Sequence, residues 1–169
     1  MGGVPQDTVF TSWSLGMRET NIMKTIKETE NEVVDEFSFF ESWEDKYEYL
    51  IELGKKLDKL PAEEYKEENK VKGCQSSVWL VAEKNNGSIE FKADSDSTIV
   101  KGLIALLIRV LSGQSPDTIV NAKLEFVDKI GLRQHLAQTR SNGLAAMIKQ
   151  IKLYALAYSM QKQTVKTVK

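Results

Sequence analysis

Val33, Phe37 and Phe40 recur at i, i+4 and i+7 in an otherwise polar stretch, the spacing that gathers side chains on one helical face. A second apolar line, Trp43, Tyr47, Leu50, Leu57 and Leu60, predicts a second helix. Ser42-Trp43-Glu44-Asp45 reads as its capping box, and Gly54 leaves room for close packing. Pro61 is expected to end this helix, because proline lacks an amide donor and biases its predecessor out of the helical region. Pro61 to Lys72 is polar and loop-like. The period then changes. Val78–Lys84 is rich in β-formers, Asn85-Asn86-Gly87-Ser88 is a turn, and Ile89–Ala93 alternates apolar residues with Glu90 and Lys92. That pattern predicts a hairpin with one buried face. A further short strand is expected just before Cys74, for a sheet of about three strands.

Asp94-Ser95-Asp96-Ser97 offers cap oxygens to a strongly apolar helix, Thr98–Ser112, with Gly113 as its stop. Ser115-Pro116-Asp117 has the cap-then-proline order of a short helix start. Arg140-Ser141-Asn142-Gly143 leads into a last helix, where Leu144, Met147, Ile148, Ile151, Tyr154, Ala155 and Tyr158 share one side. The expected fold class is α+β: a small antiparallel sheet packed with several helices. Residues 1–16 lack a sustained period and read as an extension or the product of a misplaced start, and 1–28 are expected to be disordered. A single domain should occupy 29–160, with a frayed basic tail at 161–169.

Composition narrows the chemistry. A chain of 169 residues suits one domain, and 23 Lys+Arg against 24 Asp+Glu leaves a net charge of −1 with no basic stripe for nucleic acid. The longest strongly apolar segment, Ile99–Leu111, is broken by Lys101 and Arg109 and falls short of the roughly 20 residues needed to cross a bilayer. Nine acids and a single base, Lys46, occupy Glu28–Glu48; this run reads either as two solvated helix faces or as a docking surface for a basic partner. With one cysteine, Cys74, and one histidine, His135, the chain can form no internal disulfide, no usual four-ligand zinc site and no iron–sulfur centre of its own. No resident cofactor or metal is expected. A lone thiol without secretory features fits a reducing, cytoplasmic setting.

Cys74 is the candidate for chemistry. It lies in Lys72-Gly73-Cys74-Gln75-Ser76-Ser77-Val78-Trp79, between a polar loop and a strand, where Gly73 permits a turn that other residues disfavour. Such a loop can lift a thiol to the surface for reaction or tuck it away as an inert structural residue; nearby cations lower a thiol pKa and apolar burial raises it. A Cys74–His135 hydrolase dyad is a third reading, although the two residues are 61 apart and no motif fixes their geometry. Trp43 and Trp79 read as core residues, and Arg140 as a structural hydrogen-bond donor or an anion contact.

Gly73-Cys74-Gln75-Ser76-Ser77-Val78-Trp79 resembles the GCQSxVW signature of the SufE family, sulfur acceptors for cysteine desulfurases. Three more blocks agree in order and spacing: Trp43-Glu44-Asp45-Lys46-Tyr47 with Ile51-Glu52-Leu53-Gly54, Asp94-Ser95-Asp96 with Ile99-Val100-Lys101-Gly102-Leu103, and Arg140-Ser141-Asn142-Gly143-Leu144 with Ala146-Met147. Asn142 stands where the family pattern has glutamine. The resemblance implies a fold similar to the scaffold protein IscU, and a role as accessory protein rather than enzyme. A SufS-like desulfurase, which carries the pyridoxal phosphate, would pass persulfide sulfur to Cys74, and a SufBCD-type scaffold would receive it. Gly73, Gln75, Ser76, Asp96 and Arg140 match family positions and are implied to shape the loop or the docking face. The family is usually monomeric or weakly dimeric. Alternatives are a CsdE-like acceptor for a different desulfurase, and a binding module that stimulates the desulfurase without carrying sulfur.

Overall fold

The computed structural model describes residues 24–168. Helices α1 (Ile26–Ser38) and α2 (Trp43–Lys55) precede two short 3₁₀ turns, Ala62–Glu64 and Glu67–Asn69. Strands β1 (Val78–Asn85) and β2 (Ser88–Ser95) follow, then α3 (Thr98–Leu111), α4 (Pro116–Val120), α5 (Phe126–Lys129), α6 (Leu132–His135) and α7 (Gln138–Val168). The architecture is α+β. Helix α3 sits at the centre, packed against α1, α2, α7 and β2. Eight of its residues, including Leu103, Leu106, Leu107 and Val110, are buried, which explains why its sequence is apolar nearly all round.

Local signals act as their chemistry predicts. Ser42, Ser97 and Ser115 each accept a hydrogen bond from the amide three residues on, which starts α2, α3 and α4. Asn86 and Gly87 both take positive φ, 49° and 86°, as a two-residue hairpin turn of type I′ requires. Val78, Leu80, Ile89, Phe91 and Ala93 bury the inner face of the hairpin.

The sheet has two strands, not the expected three. The segment before Cys74 makes only an isolated bridge, Lys70 to Trp79, with Val71 N donating to Val78 O at 2.8 Å. Other groups cover the strand edges instead. The hydroxyls of Tyr154 and Tyr158 on α7 donate to Leu80 O and Ala82 O, each at 3.4 Å. On the far side Ile89 N donates to Gln114 O at 3.0 Å, and Phe91 N to Ser112 Oγ at 2.9 Å. These contacts cover part of each strand edge.

Four boundaries also differ from expectation. Helix α1 starts at Ile26, inside the stretch expected to be disordered, because Thr25 and Glu28 form a reciprocal capping box; the remainder of that stretch, 1–23, lies outside the described residues. Helix α2 stops at Lys55, well before Pro61. Beyond Gly54 the bonds tighten to i→i−3 (Leu57 N to Gly54 O, 3.1 Å), and the chain turns to bury Leu60. Helix α7 begins at Gln138, so Arg140–Gly143 lies within its first two turns rather than ahead of it. Its backbone stays helical to Val168, through the segment expected to fray.

The acidic run is not simply a solvated face. Glu30 is buried and accepts from Phe126 N at 2.8 Å, tying α1 to α5. Glu36 accepts both guanidinium nitrogens of Arg109 at 2.6 Å, tying α1 to α3. That pairing holds the Glu36 carboxyl below its ordinary value. Among the described residues no helix is long and apolar enough to cross a membrane.

Candidate functional site

Backbone geometry sets the position of the thiol. Gly73 adopts φ +91°, a conformation that L side chains resist, and the turn it makes carries Cys74 back under α7. There the half-buried Sγ donates to Gly143 O at 3.4 Å. Residue 143 is a glycine inside a helix, and a β-carbon on it would sit 3.5 Å from Sγ, at van der Waals contact. The sulfur therefore rests against the backbone of α7 at Gly143, held by its carbonyl.

The other end of the loop is held by Asp96. Its Oδ1 accepts from Ser77 N at 3.1 Å, and its own amide donates back to Ser77 O at 3.2 Å. Ser95 Oγ donates to the same carbonyl at 2.8 Å. Asp96 therefore anchors the loop to the start of α3 and does not itself line the space beside the thiol.

That space is a hollow of about 330 Å³. Cys74, Gln75, Ser76 and Arg140 border it, with Val100, Ala137, Thr139 and Met147 among the other walls. The sequence reading thus identifies four of the bordering residues. It misses the wall supplied by α3 (Ser97 and Val100) and the part played by Gly143, which stood in a quoted motif block without an assigned task.

Burial pushes the Cys74 thiol above its ordinary value by desolvating the charged form. In this conformation the sulfur is stored as the neutral thiol, a poor nucleophile. Arg140 is exposed and has no hydrogen-bond or ion-pair partner among the described residues. Among those residues no group of three His, Cys, Asp or Glu side chains could hold a metal ion.

The Cys74–His135 dyad is not assembled. His135 stacks on Trp43 with ring centres 4.0 Å apart, its Nδ1 meets Gly131 O at 3.0 Å, and it does not border the hollow. Trp43 and Trp79 are only partly buried, Trp79 with its ring edge-on to Tyr65 at 5.2 Å and its Nε1 without a hydrogen-bond partner among the described residues.

The chain has recognisable relatives. The domain described as "SufE: Fe-S metabolism associated domain" matches residues 31–155. An uncharacterized SufE-like protein of Rhizobium meliloti is 41% identical over 127 residues, covering 72% of this chain and 91% of the relative. One from Rhizobium etli is 42% identical over 127 residues, covering 72% and 86%. The solution structure of a hypothetical protein from Thermus thermophilus shares the fold, with a TM-score of 0.64 at 21% identity over 76% of this chain and 94% of that one. By sequence, the chain belongs to the SufE family and is associated with iron–sulfur metabolism.

Proposed function

We propose that this protein is a sulfur carrier: Cys74 accepts sulfane sulfur from a pyridoxal-phosphate cysteine desulfurase and passes it to an iron–sulfur cluster scaffold of the SufBCD type, in the cytoplasm. The observation that carries the reading is the solitary thiol seated against Gly143 O at the mouth of a hollow, on a loop that turns at Gly73. Transfer needs one nucleophile and one approach line. The Cys74 thiolate attacks the outer sulfur of the donor's cysteine persulfide, the donor's S–S bond breaks, and the donor's thiolate leaves. One S–S bond replaces another, so no oxidant or reductant is consumed.

The geometry also supports gating. While Sγ is half-buried and its ionisation suppressed, the thiol is shielded from stray oxidants. Docking of the desulfurase would swing the loop outward about Gly73, restoring hydration and with it the thiolate. The carbon–sulfur chemistry stays with the partner's cofactor, so this chain is an accessory rather than an enzyme.

Intact mass after incubation with a desulfurase and cysteine tests carriage. Wild type should gain sulfur and Cys74→Ser should not, and stimulation of desulfurase turnover should vanish with the thiol. If Cys74→Ser still stimulates fully, the protein is a binding module instead. Alkylation of Cys74 should accelerate when the desulfurase is present; equal rates with and without it would refute the swing.

A further inference from the structure

The hollow beside Cys74 has an unbalanced charge. Among the described residues that line it, Arg140 alone is ionic and none is a carboxylate. Elsewhere among the described residues arginines are matched: Arg109 grips Glu36, and Arg133 lies 3.4 Å from Asp128. The exposed guanidinium of Arg140 faces water, which an anion entering the hollow can replace.

Size and spacing narrow what that is. A space of about 330 Å³ lies at the small end of ligand sites, which span roughly 300–1,000 Å³, and suits a molecule the size of an amino acid. Arg140 and Gly143 are i and i+3 on α7, neighbours on one face of the helix, and Sγ rests on Gly143. Arg140 therefore springs from the helix about 4.5 Å along its axis from Gly143, where the sulfur rests. In a cysteine-type persulfide the carboxylate carbon is four bonds from the outer sulfur, a comparable reach.

We infer that this hollow is a subsite for small carboxylate-bearing persulfides, with Arg140 holding the carboxylate while Cys74 takes the outer sulfur. The inference rests on the carrier reading above and adds a second, low-molecular-weight class of donor. The step balances: the ionised fraction of Cys74 bonds to the outer sulfur, the donor's S–S bond breaks, and the small thiolate leaves and takes up the proton that the outer sulfur carried. Arg140 touches the donor and sets which donors are accepted, without taking part in bond making.

The test compares two free donors, the hydropersulfides of cysteine and of cysteamine, which differ by the carboxylate. Intact-mass time courses on the full chain give the rate of sulfur gain from each. Wild type should load from the cysteine donor about fivefold faster, the scale of a solvent-screened ion pair. Arg140→Gln should bring the two rates together, and Arg140→Lys should retain part of the preference. A general disturbance of the loop would slow both donors equally and leave their ratio unchanged, so the ratio separates recognition from structure. Equal rates in wild type, or a preference that survives Arg140→Gln, would overturn the subsite even if the desulfurase loads Cys74 normally. Failure of the desulfurase to load Cys74 would instead overturn the carrier reading.

Discussion

Replacing Gly102 with alanine sets two effects of opposite sign against each other at the crossing of α2 and α3. In an unconstrained helix interior the change gains about 1 kcal/mol from backbone propensity. Here the new β-carbon would lie 2.2 Å from Leu50 O and 2.7 Å from Leu50 C. Carbon–oxygen contacts in proteins settle at roughly 3.3 Å or more, so the helices must part by about 1 Å. The obstructing atoms are backbone and cannot rotate aside, and Gly54 on the same crossing is already tight, its added β-carbon meeting Gly102 N at 2.8 Å. Overpacking of this kind costs about 3 kcal/mol, the upper part of its usual range. The net loss is then about 2 kcal/mol, a fall in Tm of roughly 4–8 °C for a domain of this size. Thermal and urea unfolding followed by circular dichroism measure it. Gly87→Ala is the control: its β-carbon would meet nothing within 4 Å, but φ is +86°, so only about 1 kcal/mol of left-handed strain applies. A Gly102→Ala protein as stable as wild type, or one less affected than Gly87→Ala, would refute the argument.

Asp96→Ala removes the acceptor of Ser77 N and should loosen the Cys74 loop by about 1 kcal/mol, speeding iodoacetamide labelling about fivefold, whereas Asp96→Asn keeps the oxygen and most of the protection; unchanged labelling in Asp96→Ala would exclude an anchoring role. The Cys74 thiol is pushed up in the folded protein, so the unfolded chain ionises first as pH rises past about 8.5 and the folded state then holds more protons. Its contribution to stability is full below that pH and declines as pH rises through the folded value, a decline that Cys74→Ser should abolish in urea titrations across the alkaline range. His135→Ala forfeits the stack on Trp43, about 1 kcal/mol, yet sulfur gain by mass should match wild type; loss of loading in a folded variant would revive the dyad.

Much of the chain was legible without coordinates wherever a few consecutive residues carry the reason. Ser42, Ser97 and Ser115 cap helices because a short side-chain oxygen reaches the amide three residues on. Asn86-Gly87 closes the hairpin because those residues tolerate positive φ. The apolar Thr98–Leu111 had to become the central helix, since no solvated helix exposes such a sequence. Cys74 stood out as the one thiol, in a motif that repeats a family's signature.

What remained hidden depends on partners far along the chain. The missing third strand follows from Tyr154 and Tyr158, more than 70 residues from the carbonyls they cover. The end of α2 follows from where Leu60 must go, not from Pro61. The seat of the sulfur is the backbone carbonyl of Gly143, 69 residues from Cys74, and the isolation of His135 needs the face of Trp43. Capping, turn chemistry and periodicity are local and are written in neighbouring residues. Burial, the thiol's suppressed ionisation and the unmatched charge of Arg140 arise only when distant segments displace water from one another, so the tertiary structure alone decides them.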